Sequence, residues 1–231
     1  MRAVVSGATR GLGRAFLEEL ARRNYDLVII ARDLTTLQEL KHQIISRYPK
    51  LEVIAISADL SKKYEAINAA QSVLHAWETI DVLINNVGLY KTSDIDGSDI
   101  LDEMINTNLR SAYYLTQPLL PSFKQQKKGS VINICSVLSR DARKGAADYT
   151  ISKHALYGFS KSLKADLQEF NIRVLSVLPG SVNTSSWDGM NVPRKDLIQP
   201  EDIARLSIES VLVESGTYVD ELHFSSSNPN Y

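Results

Sequence analysis

Short runs of consecutive apolar residues alternate along this chain with longer stretches in which apolar residues recur every three or four positions. "AVV" (3–5), "YDLVII" (25–30), "LEVIAIS" (51–57), "DVLIN" (81–85), "SVINIC" (130–135) and "IRVLSVL" (172–178) read as buried strands. Residues 13–24, 33–48 and 61–77 carry helical spacing, and Phe16, Leu17 and Leu20 share one face of the first. Asp33 is placed to cap the second helix, and Pro49 lies beyond its end. Residues 98–124 are predicted to be mostly helical, bent or ended by Pro118 and Pro121. A long helix (147–170), a shorter one (200–213) and an extended segment (217–224) complete the pattern. Strands followed by helices in this way predict an α/β fold: a parallel sheet with helices on both faces. Right-handed crossovers make that sheet doubly wound, here with about seven strands. No linker, repeat or low-complexity tract interrupts it, so residues 1–231 are expected to form a single domain. The polar tail 225–231 is expected to be loose.

Composition narrows the function classes. The 231 residues hold 26 basic and 27 acidic side chains, with no basic run, which argues against a nucleic-acid surface. Cys135 stands alone, cannot form an internal disulfide and fits a reducing compartment. In an extended strand it would also point away from the side taken by Ser136, into the core. No apolar run reaches the length of a membrane span, and a strand pattern begins within two residues of Met1. A cytoplasmic protein without a signal peptide is the expectation. His42, His75, His154 and His223 share no metal-ligand spacing, so no metal site is expected.

A doubly wound sheet binds its ligand at the carboxyl ends of the strands. After the first strand comes "SGATRGLG" (6–13), where Gly7, Gly11 and Gly13 crowd a strand-to-helix turn. Such a turn lets the backbone approach a diphosphate, and the N–H groups at a helix start favour anions. Its spacing is G-x-x-x-G-x-G rather than the commoner G-x-G-x-x-G. Tyr149 and Lys153, in "YTISK", lie four apart and are neighbours on a helix face. A cation that close favours the phenolate over the phenol.

The glycine turn, "NNVG" (85–88), "YTISK" (149–153) and "PGSVNT" (179–184) follow one another in an order that resembles the short-chain dehydrogenase/reductase family over nearly the whole chain. Ser6 stands where that family usually has threonine and Val87 where it has alanine. The Gly-Gly ending is missing, and the segment 185–199 is short. The resemblance implies a Rossmann-like fold and hydride transfer between a nicotinamide and a small carbonyl or hydroxyl substrate.

In this reading Tyr149 is the general acid/base, and Lys153 tunes it and holds the nicotinamide ribose. Ser136, thirteen residues before Tyr149, is the second donor to the substrate oxygen, with Ser139 as the competitor. Asn108 matches the family's helix asparagine, which helps hold a proton-relaying water. Asn106, or an ordinary buried role for Asn108, is the alternative. Gly7, Thr9, Arg10, Gly11, Leu12 and Gly13 would form the phosphate turn. Asp59 and Leu60 would lie near the adenine, although Asp59 also suits a turn. Asn86 and Gly88 would line the adenosine side, while Asn85 could simply tie strand ends together. Pro179, Gly180 and Val182 would run beneath the nicotinamide, with Thr184 at the diphosphate.

The second strand ends in Ala31 and Arg32, without an acidic residue to bind a 2′-hydroxyl. Arg10 and Arg32 together suit a 2′-phosphate, and Asp33 is read as a helix cap, so NADP(H) is expected over NAD(H). The segment 185–199 would form a lid, with Trp187 and Met190 as apolar walls. Residues 98–124 and 147–170, with Tyr113, Leu115, Leu156 and Phe159, would pair across a homodimer, or within a homotetramer; the other reading gives these residues to the internal core. Two further functions compete. A non-catalytic NADP(H)-binding sensor would be expected to lack Ser136, Tyr149 or Lys153. An epimerase or dehydratase would need a larger C-terminal domain.

Overall fold

The computed structural model describes residues 1–97, 99–214 and 216–228. Seven strands form one parallel sheet in the order β3-β2-β1-β4-β5-β6-β7. They are β1 (Arg2–Ser6), β2 (Asp26–Ala31), β3 (Val53–Ser57), β4 (Val82–Asn85), β5 (Gly129–Ile134), β6 (Ile172–Pro179) and β7 (Glu221–Phe224). Chain order reverses between β1 and β4, and the switch point of a doubly wound sheet is where its ligand crevice opens.

Alternation along the strands sorts the core into two layers. Ala3 and Val5 of β1 pack with α1 (Gly11–Arg22), α2 (Leu34–Arg47) and α8 (Pro200–Val211). Val4, between them, faces the other layer with α3 (Lys63–Ala76), Leu115, Phe123 and the far end of α7 (Ala147–Leu167). Phe16, Leu17 and Leu20, the predicted apolar face of α1, are fully buried. Asp33 caps α2 as expected, its carboxylate accepting the Thr36 N–H at 2.7 Å.

The stretch predicted as helix over 98–124 is a series of short pieces. Ser98 lies outside the described residues. Helix α4 (Leu101–Ile105) passes through a π-turn (Asn106–Arg110) into α5 (Ser111–Thr116), then a 3₁₀ turn (Gln117–Leu119) and α6 (Leu120–Gln126). Each proline sits at the start of a new piece, where its missing N–H costs nothing. Of the four residues expected at a dimer face, Leu115 and Leu156 are fully internal. Tyr113 remains exposed and rests against the half-buried Phe159 ring, centroids 5.4 Å apart. In the tail, Ser226 donates to the Asp196 carbonyl, and Asn228 donates to the Asp196 carboxylate at 3.1 Å. Those two residues are therefore held, whereas residues 229–231 lie outside the description.

Candidate active site

The glycine turn owes its shape to backbone crowding. Gly7 and Gly11 have φ of +65° and +53°, in the left-handed region that disfavours side chains. Gly13 meets that turn at close range: a Cβ there would lie 2.1 Å from the Gly7 carbonyl oxygen. Asn86 braces the same turn from β4, donating from Nδ2 to the Ser6 and Gly7 carbonyls at 3.2 and 3.1 Å. The Ser6 hydroxyl joins β1 to β4, accepting the Asn86 N–H and donating to the Ile84 carbonyl. Asn86, expected to line an adenosine site, uses its side-chain amide to buttress the glycine turn, which leaves its other groups for that role.

This cradle fits a dinucleotide diphosphate. No side chain caps the start of α1, so its first N–H groups face the turn. Leu12 is buried in the core, leaving its backbone to face a ligand, and Thr9 lies within the turn. Thr184 closes over Gly11, its methyl 3.2 Å from where a Cβ would stand. A cleft of about 530 Å³ opens here, lined by Arg10, Gly11, Arg14, Thr184 and Arg194.

Around the adenosine end, Ala31 closes β2 and the exposed Arg32 follows it. Arg10, in the glycine turn, is exposed as well and lines the cleft beside Thr184. Asp59 accepts from the Ser61 hydroxyl at 2.7 Å, a turn-forming bond. Leu60 is core, so only its backbone can face the crevice. Asn85 serves the sheet: it donates to Thr116 and Asn133 at 2.8 and 2.9 Å, and Asn133 continues to Ser160 and Ser176. This buried polar chain fixes the ends of β4, β5 and β6 relative to α7.

Pro179 ends β6 and leads the chain under the site. The Gly180 N–H is bonded to the Phe224 carbonyl at 2.9 Å, which ties this stretch to β7. Val182 bridges Ile198 through bonds made by Ser181 and Asn183, which leaves its own N–H and C=O facing the other way. The lid segment is pinned by Arg194, which donates to the Thr184 carbonyl, Asn183 and Asp188 at 2.7, 3.2 and 2.7 Å. Met190 points to solvent, 58% exposed, rather than forming an apolar wall. Trp187 is half-buried.

Four side chains meet at the start of α7. Ser136 follows β5, its side chain beside the Tyr149 hydroxyl and its own hydroxyl accepting the Leu138 N–H at 3.1 Å. Ser139 is buried and turned back to accept the Ser136 N–H, so it braces the turn instead of facing the crevice. Lys153 is buried 5.8 Å from the Tyr149 ring centroid and donates to the Ile134 carbonyl at 2.8 Å. Asn108, inside the π-turn, accepts the Leu89 N–H and donates to Leu89 and Ser152, at 2.7, 3.0 and 2.8 Å. Its amide is a brace between the β4 exit and α7, whereas Asn106 turns to Arg110. Gly88 leaves room at this junction: a Cβ would stand 3.5 Å from Lys153 Nζ.

The electrostatics differ from the simple expectation of a lysine lowering a tyrosine. Burial holds the Tyr149 phenol above its ordinary range, and the hydrogen bond with Ser136 pulls the other way. Burial also lowers Lys153, to about 8. The protein alone thus keeps Tyr149 protonated at neutral pH, as a proton donor must be. Cys135 is packed with Ala112, Leu156 and Leu178, and burial pushes its thiol up to about 11, far from a reactive thiolate. Two neighbours of Tyr149 escaped the motif reading. The Tyr90 ring stands edge-on to it, centroids 5.0 Å apart, and Arg143 donates to the Tyr90 hydroxyl at 3.0 Å.

Comparison with known proteins agrees with this geometry. The family model for short chain dehydrogenases matches residues 1–194. A very-long-chain 3-oxoacyl-CoA reductase of Anas platyrhynchos is 33% identical over 221 residues, covering 93% of this chain and 70% of that one. An uncharacterized oxidoreductase of Staphylococcus saprophyticus is 30% identical over 223 residues, 95% of this chain and 94% of the other. Among solved structures, an alcohol dehydrogenase of the archaeon Thermococcus sibiricus, complexed with 5-hydroxy-NADP, superposes with a TM-score of 0.90 at 25% identity, covering 100% of this chain and 99% of that one. A metagenomic short-chain oxidoreductase in complex with NADP gives 0.82 at 28% identity, covering 96% and 95%. A parallel sheet with its glycine turn at the β1–β4 switch point, and a family match running over residues 1–194, make this protein a member of the short-chain dehydrogenase family of oxidoreductases.

Proposed function

We propose that the protein is an NADPH-dependent carbonyl reductase that also runs in the alcohol-oxidising direction, with Tyr149 as general acid/base. The observation that carries this reading is the Ser136 side chain beside the Tyr149 hydroxyl, with the buried Lys153 one helical turn along α7 and 5.8 Å from the Tyr149 ring centroid. When bound, the nicotinamide supplies or accepts the hydride. Tyr149 gives its proton to the carbonyl oxygen, and Ser136 offers a second hydrogen bond to that oxygen as charge develops on it. Lys153, held by its bond to the Ile134 carbonyl, would offer its remaining N–H donors to the ribose hydroxyls. No observation favours the non-catalytic sensor, since Ser136, Tyr149 and Lys153 are all present and assembled.

The preference for NADPH is inferred from two exposed arginines, Arg10 in the glycine turn and Arg32 after β2, while Asp33 is committed to capping α2. The test mixes purified protein with aldehydes, diketones and keto esters, following the nicotinamide absorbance with NADPH and NADH at matched concentration. Turnover is expected to favour NADPH by about tenfold or more, the worth of one charge-assisted pair. Equal or faster rates with NADH would remove the preference, and no turnover on the whole panel would remove the reductase.

Acidity gives an independent check. Lys153, lowered to about 8, is charged below that pH and neutral above it, while the raised Tyr149 stays protonated across the same range. The reductive kcat/KM for NADPH, which reports groups of the free enzyme, is expected to be level below about pH 8 and to fall about tenfold per unit above it. A rate that stays level to about pH 10, the ordinary lysine range, would show either that burial does not lower Lys153 or that its charge is not needed.

Assembly as a homodimer belongs to the same proposal. The exposed ring of Tyr113, 40% accessible, lies on one of the two helical segments concerned and rests against Phe159 of the other, and the mass in solution tests it. A cytoplasmic setting is proposed from the single buried, unpaired Cys135. No helix among the described residues is long and apolar enough to cross a membrane.

A further inference from the structure

The loop between β5 and α7 brings a second cation to the active tyrosine. Arg143 donates from Nη2 to the Tyr90 hydroxyl at 3.0 Å and lies over that ring, 5.9 Å from its centroid. The same ring stands edge-on to Tyr149 at 5.0 Å between centroids. Arg143 is thus one aromatic ring away from the proton donor. Its position is fixed by a phenol rather than a carboxylate. Arg140, three residues earlier, is paired with Glu221, whereas among the described residues no acidic side chain pairs with Arg143 or Lys144. Asp141, two residues back, pairs with neither. The Arg143 Nε and Nη1 groups have no acceptor among the described residues.

Arg143 and Lys144 also line a hollow of about 400 Å³ with Ile95, Ala147 and Ile151. The N–H groups of Ala147 and Asp148, at the start of α7, are already taken by Ser93. The donors left for an anion here are therefore the guanidinium and the ammonium, not the helix end. The charge reaches the reacting group as well: Arg143 pulls the Tyr149 phenol downward against its burial.

We propose that Arg143, positioned by Tyr90, is a specificity residue that binds a carboxylate of the substrate, so that the reaction is the reduction of small oxo acids to hydroxy acids. This rests on the reductase reading above. With one Nη2 N–H given to Tyr90, the planar guanidinium keeps one N–H edge that matches a carboxylate bidentately, and a substrate held there sets its ketone toward Tyr149 only if ketone and carboxylate are close in the molecule. The balance is that of a simple reduction. Hydride adds to the carbonyl carbon, the C–O π bond becomes a C–O single bond, and the oxygen takes the Tyr149 proton, which solvent replaces. The carboxylate stays ionised on Arg143 throughout.

The experiment compares oxo acids with their own methyl esters, using NADPH and the whole protein. In the wild type, kcat/KM for each acid is expected to exceed that for its ester by about tenfold or more. In Arg143→Gln that ratio should fall by about tenfold or more, through KM for the acid. Arg143→Lys should recover part of it, and Tyr90→Phe should raise the KM for acids by a smaller factor. An acid-to-ester ratio unchanged between wild type and Arg143→Gln overturns the proposal. Turnover of esters, aldehydes and diketones without turnover of any oxo acid overturns it too, while leaving the reductase reading intact. No turnover of any carbonyl removes the reductase reading and this proposal with it.

Discussion

Tyr149→Phe is expected to lower kcat by about 10²–10⁴-fold, the usual contribution of a positioned general acid, while NADPH affinity stays nearly unchanged. The substitution keeps the ring that packs edge-on against Tyr90 and removes only the hydroxyl. Ser136 keeps its bond from the Leu138 N–H, and Lys153 keeps the Ile134 carbonyl, so the surroundings of the lost oxygen remain in place. What disappears is the only group in the cluster that is both acidic and aimed at Ser136. Steady-state turnover beside a fluorescence titration with NADPH separates chemistry from binding. If the variant turned over within about tenfold of wild type while binding NADPH equally well, the proton would have to come from elsewhere.

Gly13→Ala should damage the other end of the site through sterics alone. The new methyl would stand 2.1 Å from the Gly7 oxygen and 2.5 Å from Asn86 Nδ2. Neither neighbour can retreat freely: Gly7 belongs to the turn, and Asn86 is bonded to the Ser6 and Gly7 carbonyls. Helix α1 must ride away from the turn it serves. Overpacking of this kind costs about 1–3 kcal/mol of stability. The displaced turn should also weaken NADPH binding by about tenfold or more, since the helix start no longer meets the diphosphate squarely. A urea midpoint and an NADPH dissociation constant both equal to wild type would contradict this account of the turn.

Much of this architecture is legible in the sequence because it depends on local pattern. Strands read as apolar runs, and Asp33 announces a cap by type and position. The boundaries shift where a feature outside the pattern intervenes. Helix α1 begins at Gly11 rather than residue 13 because the glycine turn feeds straight into it. Strand β4 begins at Val82, one residue later than the apolar pattern suggests, after Asp81 turns its carboxylate to the Arg2 N–H. The π-turn at Asn106–Arg110 leaves no trace in a periodicity analysis that assumes a regular pitch. In the site, motif spacing brought Ser136, Tyr149, Lys153 and Asn108 to one place. It did not show that Lys153 turns to Ile134, that burial raises Tyr149, or that Asn86 props a turn. Those depend on which groups tertiary packing puts side by side. Tyr90 and Arg143 were missed for the same reason, although an aromatic two residues past "NNVG" and an arginine six before Tyr149 were visible in the chain.

The Asn86 brace has a consequence for how the protein is made. It ties the phosphate turn to a residue about eighty positions later in the chain, and Thr184, which closes over Gly11, is more distant still. The cradle is therefore not a local hairpin that a nascent chain can form as it emerges. It appears only once β4 has docked beside β1, and it is roofed only when β6 has delivered the lid. Parallel sheets built from such distant pairings fold slowly. A cofactor that recognises the finished cradle selects chains that have completed this assembly and draws the folding equilibrium toward them.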